Sequence, residues 1–251
     1  MEHWELLIFF FGIAVLYSSV GFGGGSSYLA ILALYSIDYR LLRATALLCN
    51  IIVVSGGTYI FYKKGFLNWR KMLPLVLISV PMAYIGGSLH ISQRTFFILL
   101  SVALILAAIL MLIQSYKNVE GNALNSIRMT NETFNAGLGG GIGFLSGMVG
   151  IGGGIFLAPV LHLLKWDGAK TIAATASFFI LVNSISGLAG QMSNPEFKLN
   201  WEFAAMLMGA VFVGGQIGSR LGAVWFSPNW VRRLTAVLIL FVGVRILLKY
   251  L

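Results

Sequence analysis

Charge is scarce in this chain: only 10% of its 251 residues are Asp, Glu, Lys or Arg, against 58% hydrophobic residues and a mean hydropathy of +0.88. That balance excludes an ordinary water-soluble fold. Cysteine is nearly absent too. The lone Cys49 rules out an intramolecular disulfide, and its apolar setting leaves the redox compartment unreported. Carboxylates number eight, and Glu2, Glu5, Asp38, Glu120, Glu132, Asp167, Glu196 and Glu202 all fall near the ends of apolar segments or between them. Carriers of protons and sodium usually keep an acidic group near a helix centre, so cation transport is disfavoured. There is no nucleophile elbow, HExxH or phosphate-binding loop, and no His–carboxylate pair at catalytic spacing, so nothing points to an enzyme, a cofactor or a metal. His90 and His162 lack neighbours at metal-ligand spacing and read as interfacial. The net charge of +9 comes from basic residues scattered in pairs, with no basic face; lipid headgroups, not nucleic acid, are the expected contact.

What the sequence has in abundance is apolar runs of membrane-crossing length, about 20 residues at 1.5 Å per residue. They fall at 5–36, 42–62, 71–89, 95–116, 134–164, 170–192, 201–224 and 230–249. The expected fold is an all-α integral membrane protein of about eight transmembrane segments. The acidic start, with no small-residue cleavage site after the first run, predicts that the first helix is retained. Two runs, 5–36 and 134–164, are too long for one straight crossing, and each is interrupted by glycines: Gly21, Gly23, Gly24 and Gly25 in one, Gly150, Gly152, Gly153 and Gly154 in the other. Each predicts a broken or re-entrant helix.

Overlaying the two interruptions aligns the rest of the chain. Ala44-Thr45-Ala46 matches Ala174-Thr175-Ala176, Leu67-Asn68-Trp69 matches Leu199-Asn200-Trp201, and Gly86 matches Gly218. The expected organisation is therefore a first repeat at 1–116, a polar linker at 117–132 and a second repeat at 133–251, giving two homologous four-segment halves. Duplicated, interrupted membrane segments point to a secondary transporter and to its binding site. Orientation is undecided by an alternating eight-segment scheme, which puts eight basic residues on one side and nine on the other. Broken segments that turn back would change that count, and with it whether the repeats are parallel or inverted.

The glycine breaks expose backbone amides at the start of a resuming helix, a site that holds an anion without any charged side chain. Gly23, Gly24, Gly25, Gly152, Gly153 and Gly154 are the primary candidates, with Ser26 and Ser27 as caps or hydroxyl donors. Pro159 is expected early in the second arm, where a missing amide costs little. Neutral hydrogen-bonding groups inside apolar helices extend the set: Thr45, Asn50, Thr175, Ser177 and Asn183, beside Cys49, Ser55, Ser184 and Ser186. Arg220, next to Gly218, is either an anion clamp or a headgroup anchor. Trp69 and Trp201 read as interface belt residues. A lone glycine cluster more often serves close helix packing, but two clusters at equivalent positions of a repeat favour the site.

The segment Gly143-Phe144-Leu145-Ser146-Gly147-Met148-Val149-Gly150-Ile151-Gly152-Gly153-Gly154, then Pro159 and Ala174-Thr175-Ala176-Ser177, strongly resembles the sulfite exporter TauE/SafE family of membrane permeases. The weaker copy at 21–26 and Gly218-Ser219-Arg220-Leu221 agree with it. The resemblance implies a permease for a small inorganic or organic anion, such as sulfite or an organosulfonate, in the inner membrane of a prokaryotic cell. The partners it implies are that anion and membrane lipid, and a homo-oligomer is compatible with it. A non-transporting membrane scaffold or assembly factor and an anion channel are the rival readings. The first copy lacks a proline matching Pro159 and has Asn50 where the second half is apolar, which implies unequal contributions from the halves.

Overall fold

Glycine decides where the two longest apolar runs stop being helix. In the computed structural model, which describes residues 4–19, 22–35, 37–116, 132–225 and 228–251, the first run divides into α1 (Glu5–Ser19) and α2 (Gly25–Leu34). The second divides into α6 (Glu132–Val149) and α7 (Gly154–Leu163). The other segments are single helices: α3 (Tyr39–Lys63), α4 (Trp69–Ser88), α5 (Gln93–Tyr116), α8 (Ala169–Met192), α9 (Trp201–Trp225) and α10 (Pro228–Tyr250). Among the described residues there is no strand. Gly21 and most of the 117–132 linker lie outside the described residues.

Among the described residues five helices, α3, α4, α5, α8 and most of α9, are long and apolar enough to cross a membrane. The count falls short of eight for two reasons. The broken runs yield the shorter α1, α2 and α7 together with α6, whose 18 residues are diluted by glycine, and α10 carries Arg232, Arg233, Arg245 and Lys249. Large apolar side chains such as Leu77, Ile85, Leu106, Val237 and Phe241 stand exposed on the outer faces, where lipid is the compatible solvent.

Local sequence explains the matched starts of α4 and α9. Asn68 accepts from the Lys71 amide at 3.4 Å and Asn200 from the Phe203 amide at 3.1 Å, so the repeated Leu-Asn-Trp is a helix-capping signal. Packing follows small residues. α6 runs beside α4 in the same direction, with Gly139, Gly143 and Gly147, four apart, laid on the backbone of Leu75, Ser79 and Ala83. α1 runs beside α9 likewise, Gly214 against Phe11 and Gly218 against Val15. The α2–α10 and α5–α7 contacts, and the α2–α3 and α7–α8 contacts, are also counterparts when α1–α5 are exchanged for α6–α10.

Ion pairs fix which connections share an end of the bundle. At one end Arg40 pairs with Glu196, Lys198 reaches Asp38 at 3.8 Å, and Arg94 donates to the carbonyls of Tyr250 and Leu251 at 3.1 and 2.9 Å. At the other, Lys71 pairs with Asp167 at 2.7 Å, joining the start of α4 to the α7–α8 connection. Because α6 starts beside the start of α4, and α7 leads to Asp167, the second broken segment enters and leaves at the Lys71 end. By the same geometry α1 starts beside the start of α9, near Lys198, and α2 leads to Asp38; the first broken segment begins and finishes at the Arg40 end.

Candidate functional site

Both interruptions use glycine in the one conformation that other residues resist. Gly24, the residue before α2, has φ +87°, and Gly153, the residue before α7, has φ +83°. Gly150 and Gly152 are also left-handed, at +86° and +84°. At the end of α6 the amides of Gly150 and Ile151 both return to the Ser146 carbonyl, at 2.8 and 3.2 Å, which closes the helix. The chain then restarts at Gly154. Opening amides of a helix have no intrahelical acceptor, and those of Gly152, Gly153 and Gly154 meet none among the described residues.

The two breaks face each other across one narrow cavity with free room of about 20 Å³, part of it open to the outside. Gly23, Gly24, Gly25 and Ser26 line it from the first break; Ile151, Gly154, Ile155 and Pro159 line it from the second. Asn50 reaches in from α3, Ile180 from α8, Tyr17 from α1 and Met111 from α5. Asn50 is fully buried, and its amide donates to the Ile151 carbonyl at 3.0 Å, tying α3 to the second break. Its own oxygen has no partner among the described residues. A methyl group on Gly152 would sit 2.8 Å from the Asn50 amide and 2.9 Å from the Ser184 hydroxyl. One on Gly23 would sit 2.8 Å from the Asn50 oxygen. Glycines at the starts of α2 and α7 thus line one space, where the lack of side chains lets backbone come close to it.

The remaining residues singled out from sequence are placed as follows. Gly153 packs against Phe179 and Ser146 beside the cavity, and Ser27 is bonded to the Tyr17 hydroxyl. Ser177 shares a bond with Thr58 at 2.9 Å. Asn183 turns to α4, donating to the Ser79 hydroxyl at 3.0 Å and to the Phe179 carbonyl at 2.8 Å. Thr45 and Thr175, matched in the repeat, are both fully buried with hydroxyls unpaired among the described residues. None of these six lines the cavity, and Arg220 is exposed near the end of α9. Pro159 is the sixth residue of α7, past the first turn, so it does remove a helical bond, the one to the Ile155 carbonyl. His162 is buried in the last turn of α7, not interfacial.

Sequence reasoning passed over Tyr17 and Ile180, which both line the cavity. Ile180 was findable: it is the repeat counterpart of Asn50 and wedges against Gly23, Gly152 and Gly154 as Asn50 does against Gly23, Gly25 and Gly152. The elements that make this cavity match a known family from end to end. The model of the family described as sulfite exporter TauE/SafE matches residues 6–246. The chain belongs to the TauE/SafE family. It is thus one of a family of membrane transporters. A probable membrane transporter protein of Sinorhizobium fredii is 34% identical to it over 96% of this chain and 97% of its own length. Another, from Bacillus subtilis, is 25% identical over 89% of each chain, and one from Methanocaldococcus jannaschii is 25% identical over 75% and 72%. No solved structure matches this TauE/SafE chain significantly.

Proposed function

We propose that this protein carries small sulfur-containing oxyanions, such as sulfite or an organosulfonate, across the inner membrane of a prokaryotic cell by alternating access. The observation that carries the reading is the shared cavity: two glycine breaks, 129 residues apart from Gly24 to Gly153, present helix starts and buried neutral donors to one space. Neutral donors replace the hydration of an oxyanion without trapping it in a permanent ion pair. Among the described residues no carboxylate lines this cavity, which favours an anion over a cation.

In this reading residues 1–116 and 133–251 are homologous halves of inverted topology. The end-to-end ion pairs support it: each broken segment turns back to its own end, leaving α3, α4, α5, α8, α9 and α10 as the six full crossings. Inverted repeats with interrupted helices meeting at mid-membrane are the architecture of rocking carriers. The same topology breaks the tie in basic residues. Lys63, Lys64, Arg70, Lys71, Lys165, Lys170, Arg220, Arg232 and Arg233 gather at the Lys71 end, against Arg40, Arg43, Arg94, Lys198, Arg245 and Lys249 at the other. The Lys71 end is then cytoplasmic.

The test is uptake and release of radiolabelled sulfite, sulfate, taurine and sulfoacetate by proteoliposomes. The reading expects saturable flux of at least one of these anions. No anion-dependent flux from intact reconstituted protein would overturn it.

A further inference from the structure

Apart from the glycine cavity, a second recess opens at the Arg40 end, between the start of α3, the α4–α5 connection and the α8–α9 connection. Tyr39, Arg40, Arg43, His90, Gln191 and Glu196 are among the residues lining it. Most of its polar groups are already committed. Tyr39 donates to the Ile91 carbonyl at 3.1 Å, and Arg40 is held by Glu196 and by the Tyr39 hydroxyl. Glu196, the carboxylate in the lining, is thus neutralised by Arg40.

Two buried groups are left short of hydrogen-bond partners, although the Arg43 guanidinium also lies over the Phe96 ring at 5.8 Å. Arg43 is 4% exposed, and its one hydrogen bond runs from a terminal nitrogen to the Gly147 carbonyl at a long 3.3 Å; its Nε has no partner. Among the described residues no carboxylate pairs with it. Gln191 is also 4% exposed, and its side-chain nitrogen is likewise unpartnered. A buried cation with no counter-ion, beside a buried amide donor with no acceptor, is a costly arrangement in a finished interior. It becomes favourable when an acceptor bearing negative charge occupies the recess, and a guanidinium is shaped to hold two oxygens of such a group at once.

We infer that this recess binds a small free oxyanion, with Arg43 supplying the charge and Gln191 a second donor. Arg43 also backs onto the second break: its Cα and Cβ lie 3.3 Å from where a side chain on Gly150 would begin. The recess thus backs onto the second break through Arg43, and under the proposed function it is a vestibule at the end opposite the cytoplasmic one. Its role in transport rests on the proposed function; its binding of an anion does not.

Isothermal titration of the purified full chain with sulfite and with sulfate, in phosphatidylcholine nanodiscs, tests the inference. Wild type is expected to show two classes of site. Arg43→Gln weakens one class by about tenfold or more, the loss of a charge-assisted bond, Arg43→Lys weakens it less, and Gln191→Leu weakens the same class. Asn50→Leu affects only the other class. The inference is overturned if Arg43→Gln and Gln191→Leu both titrate as wild type, or if wild type binds neither anion. It is equally overturned if phosphatidylglycerol nanodiscs abolish the Arg43-dependent class, which would make a lipid headgroup the occupant. If Arg43→Gln is not monodisperse, Arg43→Lys and Gln191→Leu decide. Loss of the Asn50 class alone would sink the transport reading of the central cavity and leave the vestibule standing; loss of the Arg43 class alone would do the reverse.

Discussion

The amide nitrogen of Asn50, halfway along α3, donates to the backbone carbonyl of Ile151 at 3.0 Å, inside the second glycine break. A side chain of α3 is thereby tied to the interruption between α6 and α7, and lines the cavity while doing so. Replacing it with an isosteric apolar residue leaves that carbonyl unpaired. Asn50→Leu is expected to lower stability by about 1–3 kcal/mol and to cut anion flux in proteoliposomes severely, with the purified protein still monodisperse. Wild-type flux from Asn50→Leu would remove Asn50 from the pathway.

Helix direction yields a second expectation. With Cys49→Ala as background, cysteines placed at Lys64 and Lys165 should both react with a membrane-impermeant thiol reagent from the same face of the membrane, because Lys71 and Asp167 tie those connections together. A cysteine at Lys198 should react from the opposite face, beside Asp38. A chain in which every apolar segment crosses would put Lys64 and Lys165 on opposite faces, so labelling from both sides would reject the turned-back segments.

The close helix contacts predict a matched pair of effects. A Cβ on Gly147 would run into the Ala83 backbone, and one on Gly218 into that of Val15. Gly147→Ala and Gly218→Ala should each lower thermal stability by about 1–3 kcal/mol, the usual cost of overpacking. Gly137→Ala and Gly209→Ala, whose Cβ atoms would meet nothing within 4 Å, should not. Equal melting temperatures across all four would contradict the packing described here.

Much of this was legible in one sequence because the features repeat. Gly24 and Gly153 align, and both precede a ten-residue helix with nearly the same φ. Asn68 and Asn200 align, and both cap the helix that follows. Gly86 and Gly218 align, and they rest on Phe144 and Val15, which stand in register in the two broken segments. What stayed hidden depends on contacts between residues far apart in the chain. The turning back of α2 and α7 is recorded in ion pairs such as Lys71 with Asp167, 96 residues apart, which no local pattern announces. Arg43 reads from sequence as an ordinary interfacial cation, since only the tertiary fold strips it of water and of any carboxylate. Asn183 looked as costly to bury as Asn50, yet its amide nitrogen turns to Ser79 on α4, a partner set by helix rotation rather than spacing, while its oxygen has no partner among the described residues.

The central claim, that an anion is held between the two glycine breaks, is tested most directly by radiolabelled sulfite flux through Gly24→Val and Gly153→Val. Valine is strained at φ +87° and +83°, and its Cβ would come 2.9 Å from the Tyr28 ring in one case and 2.8 Å from the Phe179 ring in the other. The account predicts that both variants insert and purify as wild type does while flux falls to the level of empty liposomes, with Gly137→Ala unaffected. Flux at wild-type rate in both valine variants would contradict it.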